Sequence, residues 1–577
     1  MQELDILFLN LHRRYLNVMT NHGGFLGIYL LAAFVRQEGF EAKSFSGSLV
    51  QGLKKIDELC TQKKISMIGL YCDYENVTEN IFLSSYIKEK YNLPVIVGGP
   101  QATALEENFF IESKCDAVVN YEGELTVLEL MNFFLEDVGE LENILGITYR
   151  TADGLKKNLN RPLIQNLDAL PFIDENCYLE PKYFYSGLSV LTGRGCPFHC
   201  AFCYEGSHTK QVRFRSVENV LAEIETYLKK YDGEEDLYFL FNDDTFTLST
   251  ERLKNICEGL AELKKKYEFS FFCEGHVHTI YKNPEMIRYL FDAGCIRLQL
   301  GIEAGTEKIL NAYGKNTTPK EIFEVVKKCR DVGIREVYGN IILGGAYFSR
   351  EVFEADEKFV RELLKESRGV LEIGVITYWP LHGTPMTLHP ENFGIKICDD
   401  EFITSVGDFP QIETAEIDRL EILEMQAEFQ KLISKTMSEM LENWEVPTER
   451  ILSWFPKVRH SRHYGMWFNE LRQNEILFSY YDMIKFEEGF HSTQIENLSS
   501  AIPMRVATLQ KNLKRVDKTT AEFFGEVLHG KELEILLLTA GKLTVEEIAT
   551  RLELKIPEVM KILNRLEQKH LIIYSLH

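Results

Sequence analysis

Three cysteines within eight residues carry the clearest chemistry in this chain. Gly193-Arg194-Gly195-Cys196-Pro197-Phe198-His199-Cys200-Ala201-Phe202-Cys203 sets thiols in the pattern C-x3-C-x2-C on one glycine-flanked loop. Three thiolates so spaced can each hold one iron of a [4Fe–4S] cluster, whose iron ions favour soft sulfur donors. No fourth ligand stands nearby, which leaves one iron with an open position. Such an opening separates a catalytic metal site from a closed structural one. The competing readings are a zinc knuckle or redox thiols. Zinc requires a fourth ligand close by, and His199 falls inside the spacing, where its ring is expected to point away from the others. The remaining cysteines, at 60, 72, 115, 177, 257, 273, 295, 329 and 398, share no ligand-like spacing. Cys273 and Cys295 read as small buried hydrophobes in strands.

A loop of this kind needs a scaffold, and the sequence around it supplies one. Between residues 186 and 386 strand and helix patterns alternate, with strands at 188–192, 237–241, 269–273, 296–301, 338–343 and 373–378. Six βα units with right-handed crossovers curl into a partial barrel whose chemistry belongs at the C-terminal strand ends. The cysteine loop follows the first of these strands, and His276 and His278 follow the third.

Residues 1–150 alternate in the same way. Leu4–Leu9 is a buried-type strand, Leu26–Gln37 has helical periodicity, Ser66–Tyr71 and Pro94–Val97 are further strands, and Glu79–Lys90 is the helix between them. The pattern predicts a doubly wound parallel sheet with a ligand crevice at the carboxyl strand ends. A nicotinamide site would need G-x-G-x-x-G after the first strand, and Gly24-Phe25-Leu26-Gly27 does not supply it. The crevice therefore suits something larger than a dinucleotide, or nothing. Residues 151–185 read as a linker, punctuated at Leu170-Pro171-Phe172. Residues 387–528 are mostly helical by periodicity and aromatic-rich around 450–490, a segment that either caps the barrel or simply packs. Residues 529–577 form a winged-helix-like end.

Composition narrows the function. The chain has 577 residues and a net charge of −23, with 45% hydrophobic and 26% charged residues. This is globular composition, and the acidic balance argues against a protein that coats nucleic acid or anionic membrane. The tail from 529 holds seven basic and seven acidic residues, so it lacks a DNA footprint. The longest uncharged window, Tyr15–Val35, contains Asn17, Asn21, His22 and a glycine pair, which a spanning helix would not choose. Without a secretory signal at the start, a cytoplasmic location is expected.

The cysteine loop resembles the cluster motif of the radical S-adenosylmethionine (SAM) enzymes, in which an aromatic residue precedes the third cysteine, as Phe202 does here. Leu300-Gly301-Ile302-Glu303-Ala304-Gly305 is similar to the fourth-strand segment whose glutamate binds the SAM ribose. Asn340–Gly345 resembles the fifth-strand segment that packs the adenine, through Ile342. Phe241-Asn242-Asp243-Asp244 ends the second strand where relatives place polar groups for the methionine ammonium, and either Asp243 or Asp244 fits that role. Tyr378–Pro385 resembles the end of strand six in a large subgroup with an N-terminal cobalamin-binding domain. Residues 1–150 are similar to that domain in Gly27–Phe34, Val97–Thr103 and Tyr121–Glu124. The resemblance implies cobalamin contacts at Gly98, Gly99, Pro100, Thr103, Glu122 and Gly123. Relatives with a histidine below cobalt carry D-x-H-x-x-G after the first strand. Here the stretch is Asn10-Leu11-His12-Arg13-Arg14-Tyr15, without the acidic partner that orients such a ligand. Cobalamin without a histidine lower ligand is therefore expected.

Together these features imply a cobalamin-dependent radical SAM methyltransferase acting at an unactivated carbon of a small molecule or peptide, supplied with electrons by a flavodoxin or ferredoxin. Two alternatives stand beside it. One is a radical SAM cyclase, epimerase or rearrangement enzyme in which cobalamin is no methyl donor. The other is an iron–sulfur sensor with a DNA-binding winged helix.

Overall fold

The computed structural model describes residues 3–12, 26–105, 107–180, 188–205, 210–233, 237–398, 410–455, 465–486, 495, 497–506 and 512–575. They form two compact units, residues 1–360 with 373–430, and residues 361–372 with 431–577.

The first unit holds two sheets. Strands β1 (Leu4–His12), β2 (Ala42–Ser48), β3 (Ile65–Tyr71), β4 (Val95–Gly98), β5 (Ala117–Val119), β6 (Ile147–Thr151) and β7 (Gly154–Lys157) pair in the order β2-β1-β3-β4-β5-β6-β7. The first five are parallel, and β6 and β7 add antiparallel at one edge. Every residue of β1 from Ile6 to Leu11 is buried, polar Asn10 included. Burial on both faces is what a central parallel strand requires, and it explains the unbroken apolar run. The sheet extends past residue 150, because Gly154–Lys157 closes a hairpin back onto it. That strand is solvated along most of its length, so it shows no apolar alternation by which it could be read. The pair β2 and the following helix, Leu49–Thr61, also lacks a strong sequence signal. A Ser48–Gln51 capping box starts that helix.

The second sheet comprises β8 (Leu188–Val190), β11 (Leu237–Phe241), β12 (Phe269–Gly275), β13 (Cys295–Glu303), β14 (Glu336–Leu343) and β15 (Leu371–Thr377), in the order β15-β14-β13-β12-β11-β8. A short antiparallel clasp, β9 (Gly193–Arg194) with β10 (Arg213–Phe214), stands at the root of the cysteine loop. From β8 to β14 the strands are parallel neighbours. These are the six strands read from the sequence, joined by helices such as Val217–Lys230 and Pro319–Val332. Cys273 and Cys295 lie side by side, their sulfurs 3.9 Å apart and buried.

In the second unit short strands accompany the helices. Helices Thr448–Trp454, Met466–Gln473 and Glu475–Lys485 are present, with Trp454 stacked on Trp467 at 5.5 Å. A three-stranded antiparallel sheet, Leu513–Arg515, Thr520–Phe523 and Glu526–His529, begins before residue 529. Its strands are too short for periodicity to reveal. Helices Gly530–Leu538, Val545–Arg551 and Ile556–Gln568 follow, and Ile572–Ser575 returns to pair with Ile502–Arg505. Among the described residues no helix is long and apolar enough to cross a membrane.

Candidate active site

The cysteine loop leaves the first barrel strand at the strands' C-terminal end, and its backbone is held from several sides. Ala201 N–H donates to Tyr313 C=O (2.8 Å), and Met386 N–H donates to Ala201 C=O (3.1 Å). Phe202 meets the edge of Tyr313 at 5.2 Å between centroids, and Phe198 stacks on His276 at 3.7 Å and 10°. Gly314 has φ +68, and a Cβ there would lie 2.9 Å from His199 O. Only glycine lets the 313–315 turn sit against the loop at that distance. All three cysteines are free thiols; Cys200 is buried and Cys196 and Cys203 are partly so. Burial pushes the Cys196 and Cys200 thiols above their ordinary range, while the Lys315 ammonium acts on both in the opposite direction. Soft thiols on a fixed loop beside a buried cation suit an anionic iron–sulfur cluster.

Lys315 is the residue that motif reading misses. Its Nζ lies 2.7 Å from Glu303 Oε1, with both side chains buried. Burial alone would lower the ammonium's pKa. Glu303, Cys200 and Cys203 outweigh that, and the pKa rises. Glu303 sits at the end of β13 with φ +63, where the register with β14 shifts. Glu274, at the end of β12, is raised to about 7 by burial and by Glu303; Gln299 donates to it at 3.0 Å. The mouth of the barrel thus gathers Glu303, Lys315, Glu274 and His276. His276 is pushed down to about 3 by burial, then by Lys315 and His278. Among the described residues neither of its ring nitrogens has a hydrogen-bond partner. His278 turns away, 3.0 Å from Glu321, which forms a capping box with Thr318.

The two aspartates separate. Asp243 receives hydrogen bonds from Thr192, from its N–H at 2.6 Å and from its hydroxyl. It therefore braces the backbone just before the cysteine loop. Asp244 faces an open cavity and is raised to about 7 by burial, then by Glu205, Asp243 and Glu274. Ile342 is buried in β14, just before the Gly344–Gly345 turn.

That cavity, about 1620 Å³ with its open mouth included, joins the two sheets of the first unit. One wall contains Gly98, Gly99, Pro100, Thr103, Glu122 and Gly123, all six residues expected to contact cobalamin. The facing wall contains Gly193, Arg194, Gly195, Tyr204, Glu205 and Asp244, which flank the cysteine loop. Gly99 has φ +108, and a Cβ there would meet Cys72 O at 2.5 Å. Gly27 also lines the cavity, and a Cβ on it would meet nothing within 4 Å. The missing side chains leave room for a flat macrocycle to lie against backbone. Asn10 is buried; its Oδ1 accepts from Asn76 Nδ2 at 2.9 Å, while among the described residues its own Nδ2 has no hydrogen-bond partner. The side chain of His12 lies outside the described residues. Among the described residues, the cavity lining includes no histidine.

Glu122 is also an ion-pair residue. It meets Arg194 at 2.9 Å and Arg213 at 2.7 Å, and Arg194 pairs in addition with Glu124. Burial would raise the Glu122 carboxyl, but Arg194 and Arg213 bring it below the ordinary range. No spacing in the sequence links these four residues. Their contact is made only when the two sheets meet.

The radical SAM superfamily model matches residues 190–359. A protein of Pyrococcus horikoshii named as an uncharacterized methyltransferase is 32% identical over 365 residues, 60% of this chain and 75% of its own. The chain belongs to the radical SAM superfamily. Radical SAM enzymes use a [4Fe–4S] cluster and SAM, and the thiol loop described above lies within the matched residues. Two solved structures share the fold. TsrM of Kitasatospora setae, a radical SAM methyltransferase with cobalamin and a [4Fe–4S] cluster bound, has a TM-score of 0.60 and 16% identity, covering 83% of this chain and 99% of its own. OxsB, a cobalamin-dependent SAM radical enzyme with aqua-cobalamin and SAM bound, has a TM-score of 0.59 and 18% identity, covering 84% and 71%.

Proposed function

We propose that this radical SAM enzyme is a cobalamin-dependent methyltransferase acting at an unactivated carbon of a small molecule or peptide. One observation carries the reading: a single cavity is walled on one side by glycine-rich strand ends and on the other by residues flanking the cluster cysteines. Cofactors on those two walls would face a shared substrate space. The Pyrococcus relative and TsrM are named methyltransferases, and the structures of TsrM and OxsB hold cobalamin, which supports it.

Cys196, Cys200 and Cys203 would hold the cluster, and Gly98, Gly99, Pro100, Thr103, Glu122 and Gly123 the corrinoid. When bound there, a cluster would supply the electron for reductive SAM cleavage and cobalamin a methyl carrier. The chain's own residues do the binding. Glu303 accepts hydrogen bonds from the SAM ribose while its other face keeps Lys315 ionised. Lys315 offers a cation to the carboxylate of the methionine moiety. Asp244, rather than Asp243, receives the ammonium, because both Asp243 oxygens are already taken by Thr192. Phe202 and Ile342 provide apolar surface for the adenine. An electron donor of the flavodoxin or ferredoxin type completes the system, in the reducing cytoplasm that such a cluster needs.

The reading is tested with SAM carrying a labelled methyl group. Label transferred from SAM to a product, together with 5′-deoxyadenosine, is the expected result. A product that forms with 5′-deoxyadenosine but without label would replace methyl transfer by cyclisation or rearrangement.

A further inference from the structure

Glu124 stands where the two walls of the cavity meet, and only half of its carboxylate is accounted for. One oxygen, Oε1, pairs with Arg194. The other, Oε2, is buried and among the described residues has no hydrogen-bond donor. The side chain is 5% exposed and lines the cavity. Buried carboxylate oxygens are normally satisfied, so an orphan one at a cavity wall marks the place of a donor that arrives with a ligand. Arg194 in turn lies two residues before Cys196, and is paired through β9 and β10 with Arg213, which also grips Glu122. This is a short, buried and charge-neutral chain of contacts from the corrinoid wall to the cluster loop.

We propose that Glu124 is a shared ligand: Oε1 fixes Arg194, and Oε2 accepts a hydrogen bond from a peripheral amide N–H of the corrinoid. This rests on the cobalamin reading above and adds to it a specific acceptor and a regulation. A donor on Oε2 orders the carboxylate, the carboxylate orders Arg194, and Arg194 orders the strand that enters the cysteine loop. Corrinoid occupancy and cluster retention then favour each other, and by linkage the factor is the same in both directions.

The test uses the full chain, purified anaerobically, with two probes. Hydroxocobalamin carries primary amides on its rim. Heptamethyl cobyrinate carries methyl esters there, which accept hydrogen bonds but cannot donate them. Glu124→Ala is expected to bind hydroxocobalamin about tenfold more weakly, the size of one lost charge-assisted hydrogen bond, and to bind the ester corrinoid within about twofold of the parent. Glu124→Gln, which keeps the side-chain shape and an acceptor oxygen, falls between and guards against a folding defect. Iron release to a chelator is expected to slow when hydroxocobalamin is bound to the parent, and not in Glu124→Ala. Equal losses for both corrinoids would make Glu124 a structural residue only and overturn the proposal. So would iron release from the parent that ignores hydroxocobalamin. If the parent binds neither corrinoid, the cobalamin reading itself fails, which the parent titration alone reveals.

Discussion

Lys315 Nζ lies 2.7 Å from Glu303 Oε1 in a buried pair within electrostatic reach of Cys200 and Cys203. In strand order Glu303 is three strands from the cysteine loop; in space the 313–315 turn docks directly onto it. The pair thus links Glu303 electrostatically to the cysteine loop.

Glu303→Gln should raise the dissociation constant for SAM roughly 10- to 100-fold, since a charge-assisted hydrogen bond contributes on the order of 1.5–3 kcal/mol. It also strands a buried ammonium, which costs on the order of 3–5 kcal/mol. Glu303→Gln with Lys315→Met should recover much of the thermal stability but not the SAM affinity. Glu307→Gln, exposed at the start of the next helix, serves as the control. Parent-like SAM binding in Glu303→Gln would remove Glu303 from the site.

Each of Cys196→Ala, Cys200→Ala and Cys203→Ala should lose the cluster and the production of 5′-deoxyadenosine. Normal 5′-deoxyadenosine from Cys200→Ala, measured chromatographically, would break the assignment of the loop.

The barrel was legible because strand-like segments alternate with helical periodicity from 186 to 386, and the structure returns all six strands. The cysteine loop was legible because its three thiols are neighbours in sequence. Lys315 and Glu274 were not, because each works through a partner on another element and belongs to no motif; Arg194 and Glu124 stand in motifs the sequence shows, but their pairing appears only in the fold. Glu274 does stand at the carboxyl end of a barrel strand, the place the fold marks for chemistry, but it carries no motif. Asp243 and Asp244 could not be told apart as adjacent letters. A strand-end turn sends one toward Thr192 and the other to the cavity.

His276 gives the fold a pH dependence. Its folded pKa is depressed to about 3 by burial, against an ordinary value of 6.5. The unfolded chain therefore takes up a proton that the folded one refuses. The stability this group contributes is complete above about pH 6.5 and declines as the pH falls toward 3. Urea midpoints at pH 7.5 and 5 should differ more for the parent than for His276→Phe. An equal difference would show that the ring is protonated in the folded chain.

Cob(II)alamin bound to the chain should show no nitrogen superhyperfine splitting from a protein ligand, since Asn10 is held by Asn76 and replaces the acid that orients a histidine. His12→Ala should leave the electron paramagnetic resonance spectrum unchanged. Splitting that disappears in His12→Ala would place a histidine under the cobalt.

The most direct test of the shared cavity is to count both cofactors on one chain. After anaerobic reconstitution and removal of unbound material, the account predicts about four iron atoms and about one cobalamin per chain. Gly99→Val, which puts a side chain against Cys72 and strains a left-handed backbone, should lose cobalamin, still assemble a cluster, and release its iron to a chelator faster than the cobalamin-loaded parent does. A full complement of iron with no retained cobalamin in the parent would contradict the account, leaving a radical SAM barrel beside a sheet that serves another purpose.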